Sequence, residues 1–160
     1  MRIVWIGSWI VSVALLATVD CKPRTLTEVP MPDYKSFRHV KSGLLLKGDA
    51  DDLLTGIHHV YANDAAVEAL RNRSDFPEDS VLVFDLFEPL DTPEGYKEGA
   101  HKFTAVMHKH SSFKSTGGWG YEAFLPDGKR VVSDANKMCF ECHKSVESQG
   151  YVFTNAGMSE

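Results

Sequence analysis

The stretch SVLVFDLFEP, Ser80 to Pro89, decides the fold. Val81, Val83, Asp85 and Phe87 alternate with Leu82, Phe84 and Leu86, the two-residue period of a β-strand. Both sets are largely apolar, which predicts a central strand with one face against helices and the other against a ligand or a second layer. On the N-terminal side, beyond the FPED turn at 76–79, Asn63-Asp64 caps a helix running through AAVEALRN, 65–72. Before it, GIHHVYAN at 56–63 is a short strand. FRHVKSGLLL at 37–46 suggests another, although its continuously apolar end does not by itself separate strand from helix.

On the C-terminal side, KFTAVMHKH at 102–110 is a further strand candidate. GYEAFL, the Pro126-Asp127-Gly128 turn and KRVV, 129–132, form a hairpin. Ser133 or Asp134 then caps a helical turn through SDANKMCFECHK. The sum is an α+β domain: a mostly antiparallel β-sheet of four or five strands with flanking helices and a helical turn near the C-terminus.

At 160 residues the chain suits one domain. Arg2 precedes an uncharged apolar run at 3–19, so residues 1–21 read as a secretory signal peptide or a short N-terminal anchor. Cys21 invites a lipoprotein reading, against which Asp20 stands where a small residue is wanted. Residues 22–33, with three prolines and no apolar period, form an extended lead-in, and the domain occupies 34–160. A net charge of −5 with no basic stripe argues against nucleic acid.

The chemistry concentrates in KMCFECHK, 137–144. On a helical turn Cys139 and Cys142 are i and i+3, and Cys139 and His143 are i and i+4, so all three side chains leave one face. Cys-x-x-Cys-His is the signature of c-type haem attachment. Two thiols add to the haem vinyl groups, and the imidazole reaches the iron from the same side. Cys139 and Cys142 are therefore expected as thioether partners of one covalent haem c, and His143 as its axial iron ligand. Structural zinc lacks a second Cys/His pair, and a redox Cys-x-x-Cys lacks its thioredoxin-like setting. A disulfide between 139 and 142 closes a tiny loop and leaves the histidine unused. Export agrees with haem, because c-type attachment is extracytoplasmic, and so a periplasmic location is expected.

The sixth iron position decides between electron transfer and ligand binding. Met107, Met138, Met158, His58, His59, His101, His108 and His110 are all candidates on composition. Each has an ordinary alternative as a packed or hydrogen-bonded residue, and the sequence leaves the position open.

GIHHVYAND, FPEDSVLVFDL, FKSTGGWGYEAF, CFECHK and YVFT follow one another in order from Tyr34 to Thr154, and this series resembles the cytochrome P460 family, whose relatives include the c-prime-beta cytochromes. The resemblance implies a sheet-rich, homodimeric haem protein with five-coordinate iron. It also implies, for members that oxidise hydroxylamine, a lysine bonded to the porphyrin on the strand after the FPxxSV turn. Here that strand has no lysine, and Phe84 stands at or next to the place. The same members use a distal carboxylate on the strand before GGWG; the equivalent place here is near Thr104, leaving Thr104 or His108 as proton relays.

A phenyl ring in place of a basic cross-link makes the distal space apolar, which disfavours charged ligands and suits a neutral diatomic. The expected function is that of the c-prime-beta branch: an exported mono-haem cytochrome with an open distal site for nitric oxide. The alternatives are a hydroxylamine oxidoreductase, cross-linked through Lys97, Lys102 or Lys109, and a six-coordinate electron carrier with a redox partner protein. Trp119 and Tyr121 are expected to pack the sheet against the haem edge or a dimer partner. Gly117, Gly118 and Gly120 are expected to allow backbone angles or approaches that a Cβ would block.

Overall fold

A computed structural model describes residues 25–47 and 52–154. The apolar run at 3–19, Cys21 and Met158 lie outside the described residues. The architecture is a five-stranded antiparallel sheet in the order β1-β2-β3-β4-β5, a meander in which each strand pairs with its sequence neighbour. The strands are β1 (Arg38–Leu45), β2 (Gly56–Ala62), β3 (Val81–Thr92), β4 (Gly95–Lys109) and β5 (Trp119–Phe124). One regular helix, α1 (Asp64–Asn72), joins β2 to β3, and helical turns occupy 136–149.

The stretch at 80–89 is the start of β3, which lies at the centre of the sheet. Leu82 pairs with Met107, Phe84 with Ala105 and Asp85 with Thr104. The helix expected at 64–72 forms with Asn63 as its cap, the side-chain oxygen accepting from the Ala66 amide at 3.1 Å. That same oxygen accepts from the Val81 amide at 3.0 Å, so one side chain ties the helix start to the start of the central strand.

Three expectations are corrected. β3 runs past Pro89 to Thr92 and turns into β4 at Gly95, so this hairpin is longer than its apolar core suggested. β2 has ended by then, its last pair being Ile57 with Phe87, so Pro89 loses no ladder bond on that side. The hairpin expected at 129–132 forms only in part, as a single bridge between Phe124 and Arg130 flanked by the bonds from Leu125 to Lys129 and from Val131 to Ala123, and does not extend into a further strand. The Glu122 carboxylate takes over instead, pairing with Arg130 at 2.8 Å and accepting from the Val132 amide at 3.2 Å.

The third correction concerns the faces of β3: the helix and a cavity share one of them, so of the two expectations for the other face it is the second layer that holds and not the ligand. Ala66, Val67, Ala69 and Leu70 of α1 pack with Val60, Ala62 and Leu82 of the sheet and with Val152. On the reverse face Val83, Val106 and Phe124 pack against Val29, Tyr34 and Phe37 of the N-terminal segment. Here Gly120 is required, since a Cβ would lie 2.4 Å from the Phe113 ring and 2.5 Å from Val29.

Candidate functional site

The segment carrying the cysteines starts where Asp134 Oδ1 accepts from the amides of Asn136 and Lys137 at 3.1 and 3.3 Å. A wide π-type turn (Asn136–Phe140), one α-turn (Glu141–His143) and a 3-10 stretch (Lys144–Gln149) follow. Gly150 and Tyr151, with φ of 70° and 67°, then reverse the chain. That reversal brings the Tyr151 carbonyl to 2.7 Å from His143 Nδ1. A carbonyl only accepts, so Nδ1 carries the proton and Nε2 keeps its lone pair, the tautomer a metal-ligating histidine needs.

The imidazole is further held between rings: Tyr121 and Phe153 each place a centroid 5.1 Å from it. Burial lowers its pKa, opposed by the Tyr151 carbonyl, so the neutral form prevails at pH 7. Trp119, fully buried, donates from Nε1 to the Gly150 carbonyl at 3.0 Å and thereby fixes the reversal to β5. Gly117 at φ 66° lies under the Tyr151 ring, where a Cβ would come within 2.6 Å. Trp119 and Gly117 thus work on the loop behind His143, whereas Gly118 lies against Lys109 and Gly120 serves the reverse face.

Cys139, Cys142 and His143 line one cavity of about 560 Å³, within the range of sites that hold a cofactor. Among the described residues both thiols are free. Burial foremost, then Glu122 and Cys142, push the Cys139 thiol up to about 11. The sheet side of the cavity is formed by Val60, Leu82, Phe84, Ala105, Met107 and Ala123, all on the face that also carries α1. Two buried polar atoms on this lining, His58 Nδ1 and Tyr121 OH, have no hydrogen-bond partner among the described residues. A cavity with two free thiols, one oriented imidazole and an apolar wall fits a haem tethered through Cys139 and Cys142.

Other residues fall where the sequence did not predict. Thr104 and His108 stand on the opposite face of the sheet from the cavity, as strand alternation requires once Ala105 and Met107 line it. Thr104 donates to Asp85 at 2.6 Å, beside Tyr34 OH at 2.7 Å and His101 at 2.9 Å, and His108 contacts Asp79 at 3.2 Å. Neither reaches the cavity as a proton relay.

Of the candidates for the sixth position, His58, Met107 and Met138 line the cavity. His59 bonds Ser42 and Glu98, His101 bonds Asp85, and His110 lies 3.6 Å from Glu78. The three lysines considered for a cross-link are also elsewhere. Lys102 donates to the Leu53 and Thr55 carbonyls, Lys109 to that of Gly117, and Lys97 lies 3.9 Å from Glu94. The lysine that does line the cavity is Lys41 of β1, which the reading of the sequence had not considered. No local signal could have found it, because its face is set by the register that pairs Lys41 with Val60 and Gly43 with His58.

A family model described as Cytochrome P460 matches residues 31–154, a span that holds the whole sheet, α1 and the segment with the two thiols. No curated protein matches the chain.

Proposed function

Because the chain belongs to the cytochrome P460 family, and with it to the haem-binding cytochromes, we propose that it carries one haem c bonded to Cys139 and Cys142. His143 is its protein ligand, and the side facing the sheet is open to a small nitrogen compound such as nitric oxide. The observation that carries the reading is the hydrogen bond from His143 Nδ1 to the Tyr151 carbonyl at the edge of a cavity that also holds both thiols. It leaves Nε2 as a donor atom with its ring clamped, which is what an axial ligand requires. When bound, haem supplies an iron centre for ligand binding and one-electron chemistry.

The chain's own residues do the rest. Phe84, Leu82, Val60, Ala105 and Met107 give a wall that excludes water and favours a neutral diatomic over an ion. Among the described residues Lys41 is the one lysine or arginine on the lining, and it offers a countercharge to a haem propionate. Export to the periplasm and a homodimer belong to the same proposal, supported by the apolar N-terminal run and the family resemblance.

The test is expression in a periplasm competent for haem attachment. The expected product is a coloured protein whose haem survives denaturation, is lost as a covalent adduct in Cys139→Ser with Cys142→Ser, and is five-coordinate and high-spin in the ferrous state. Nitric oxide should bind it without a prior ligand-exchange step. A colourless product, or a low-spin iron with two protein ligands, would reject the reading. Hydroxylamine oxidation remains a second reading because Lys41 stands at the cavity. It predicts a porphyrin-linked Lys41 peptide in a protease digest and steady turnover with an electron acceptor.

A further inference from the structure

On the sheet side of the cavity two buried polar atoms find no partner among the described residues, the Tyr121 hydroxyl, whose ring lies against His143, and Nδ1 of His58, which stands apart from that ligand. His58 of β2 is buried, only 7 % exposed, and lines the cavity. Among the described residues nothing partners its Nδ1. Its sequence neighbour His59, on the other face of the strand, is by contrast bonded at both nitrogens, to Ser42 at 2.7 Å and Glu98 at 2.8 Å. A buried imidazole nitrogen without a partner loses roughly 1–3 kcal/mol of hydration that nothing in the fold returns.

The position is nevertheless built. The ring stacks on Phe84 at 5.0 Å with planes 18° apart. It lies over Gly43, the residue paired with it on β1, where a Cβ would sit 2.6 Å from Cε1. Glycine at 43 makes room for the imidazole, and Phe84 fixes its plane. Burial, with Lys41 and His59 nearby, lowers its pKa and keeps the ring neutral, with one N–H to donate and one lone pair.

We infer that His58 is the hydrogen-bonding residue of the ligand site, donating to the outer atom of a small polar ligand held over the haem, with Phe84 and Gly43 setting the angle of its ring. This rests on the haem reading above. It takes the place that Thr104 and His108 do not fill, and it favours ligands whose outer atom accepts a hydrogen bond, such as nitric oxide or hydroxylamine, over wholly apolar ones.

The experiment uses the ferrous holoprotein with carbon monoxide and nitric oxide as probes, in wild type, His58→Leu, His58→Gln and Gly43→Ala. Loss of the donor in His58→Leu should raise the infrared C–O stretching frequency and speed nitric oxide release about three- to tenfold, the worth of one hydrogen bond. His58→Gln, which keeps an N–H, should return both values towards wild type, a rescue that a packing role would not produce. Gly43→Ala should shift the frequency with His58 intact, because the ring must move. Equal frequencies and release rates in wild type and His58→Leu would overturn the inference. So would a low-spin ferrous wild type that turns high-spin in His58→Leu, which would make His58 an iron ligand instead. Failure of the haem reading is recognised separately, as a wild type without a Soret band before any probe is added.

Discussion

At the residue scale the site depends on a few side chains whose placement is set by neighbours with little or no side chain. Gly117 is the clearest case on the His143 side. Its φ of 66° favours glycine, and a methyl there would meet the Tyr151 ring at 2.6 Å. Gly117→Ala is expected to lower stability by about 1–2 kcal/mol in urea unfolding. By displacing Tyr151 it should also weaken the carbonyl contact that holds His143, seen as a lowered iron–imidazole stretching frequency in the ferrous holoprotein. An unchanged frequency would mean that the loop, rather than the Tyr151 ring, holds the carbonyl. Cys139, Cys142 and His143 were legible as a group because their spacing lies within one helical turn. His58 was legible only as one of several histidines, since its neighbour His59 has the same chemistry and the opposite environment.

At the element scale, α1 and β3 are joined through Asn63, which accepts from two amides and donates from Nδ2 to the Asp79 carbonyl at 2.8 Å. Asn63→Ala removes a helix cap and leaves the Val81 amide without its partner, so a loss of about 1–2 kcal/mol is expected from the shift of the urea midpoint. Asn63→Asp keeps the accepting oxygen but turns a second one on the Asp79 carbonyl, so it should recover only part of the loss. A loss under ~0.5 kcal/mol would show that water replaces the cap without difficulty. The helix and β3 were readable beforehand because each rests on a local period and a local cap. The early end of the hairpin at 129–132 was not. PDG does make the turn, with the Gly128 amide donating to the Leu125 carbonyl at 2.8 Å. Beyond it Lys129 and Val131 still share backbone bonds with Leu125 and Ala123, but the next amide, that of Val132, turns to the Glu122 carboxylate of β5 and the pairing stops.

At the scale of the whole molecule, the N-terminal segment is clasped to the reverse face of the sheet by the bond from Tyr34 OH to Asp85. Burial, then that bond, raises the phenol from 10.0 to about 12. The folded protein therefore holds a proton that the unfolded chain releases between these values, so stability falls as pH rises from about 10 to 12. Tyr34→Phe should be less stable at neutral pH and should lose that alkaline slope in unfolding curves taken across the window; an unchanged slope would exclude Tyr34 as its source. The sequence by itself determined the sheet, the helix and the thiol–imidazole group, because strand alternation, helix capping and i, i+3, i+4 spacing are properties of a few consecutive residues. Only the tertiary structure decided that helix and cavity share one face, that Thr104 and His108 turn away from it, and that Lys41 and His58 look in. Those facts depend on strand register between residues far apart in the chain, and a side chain's face has no meaning until the strand beside it is in place.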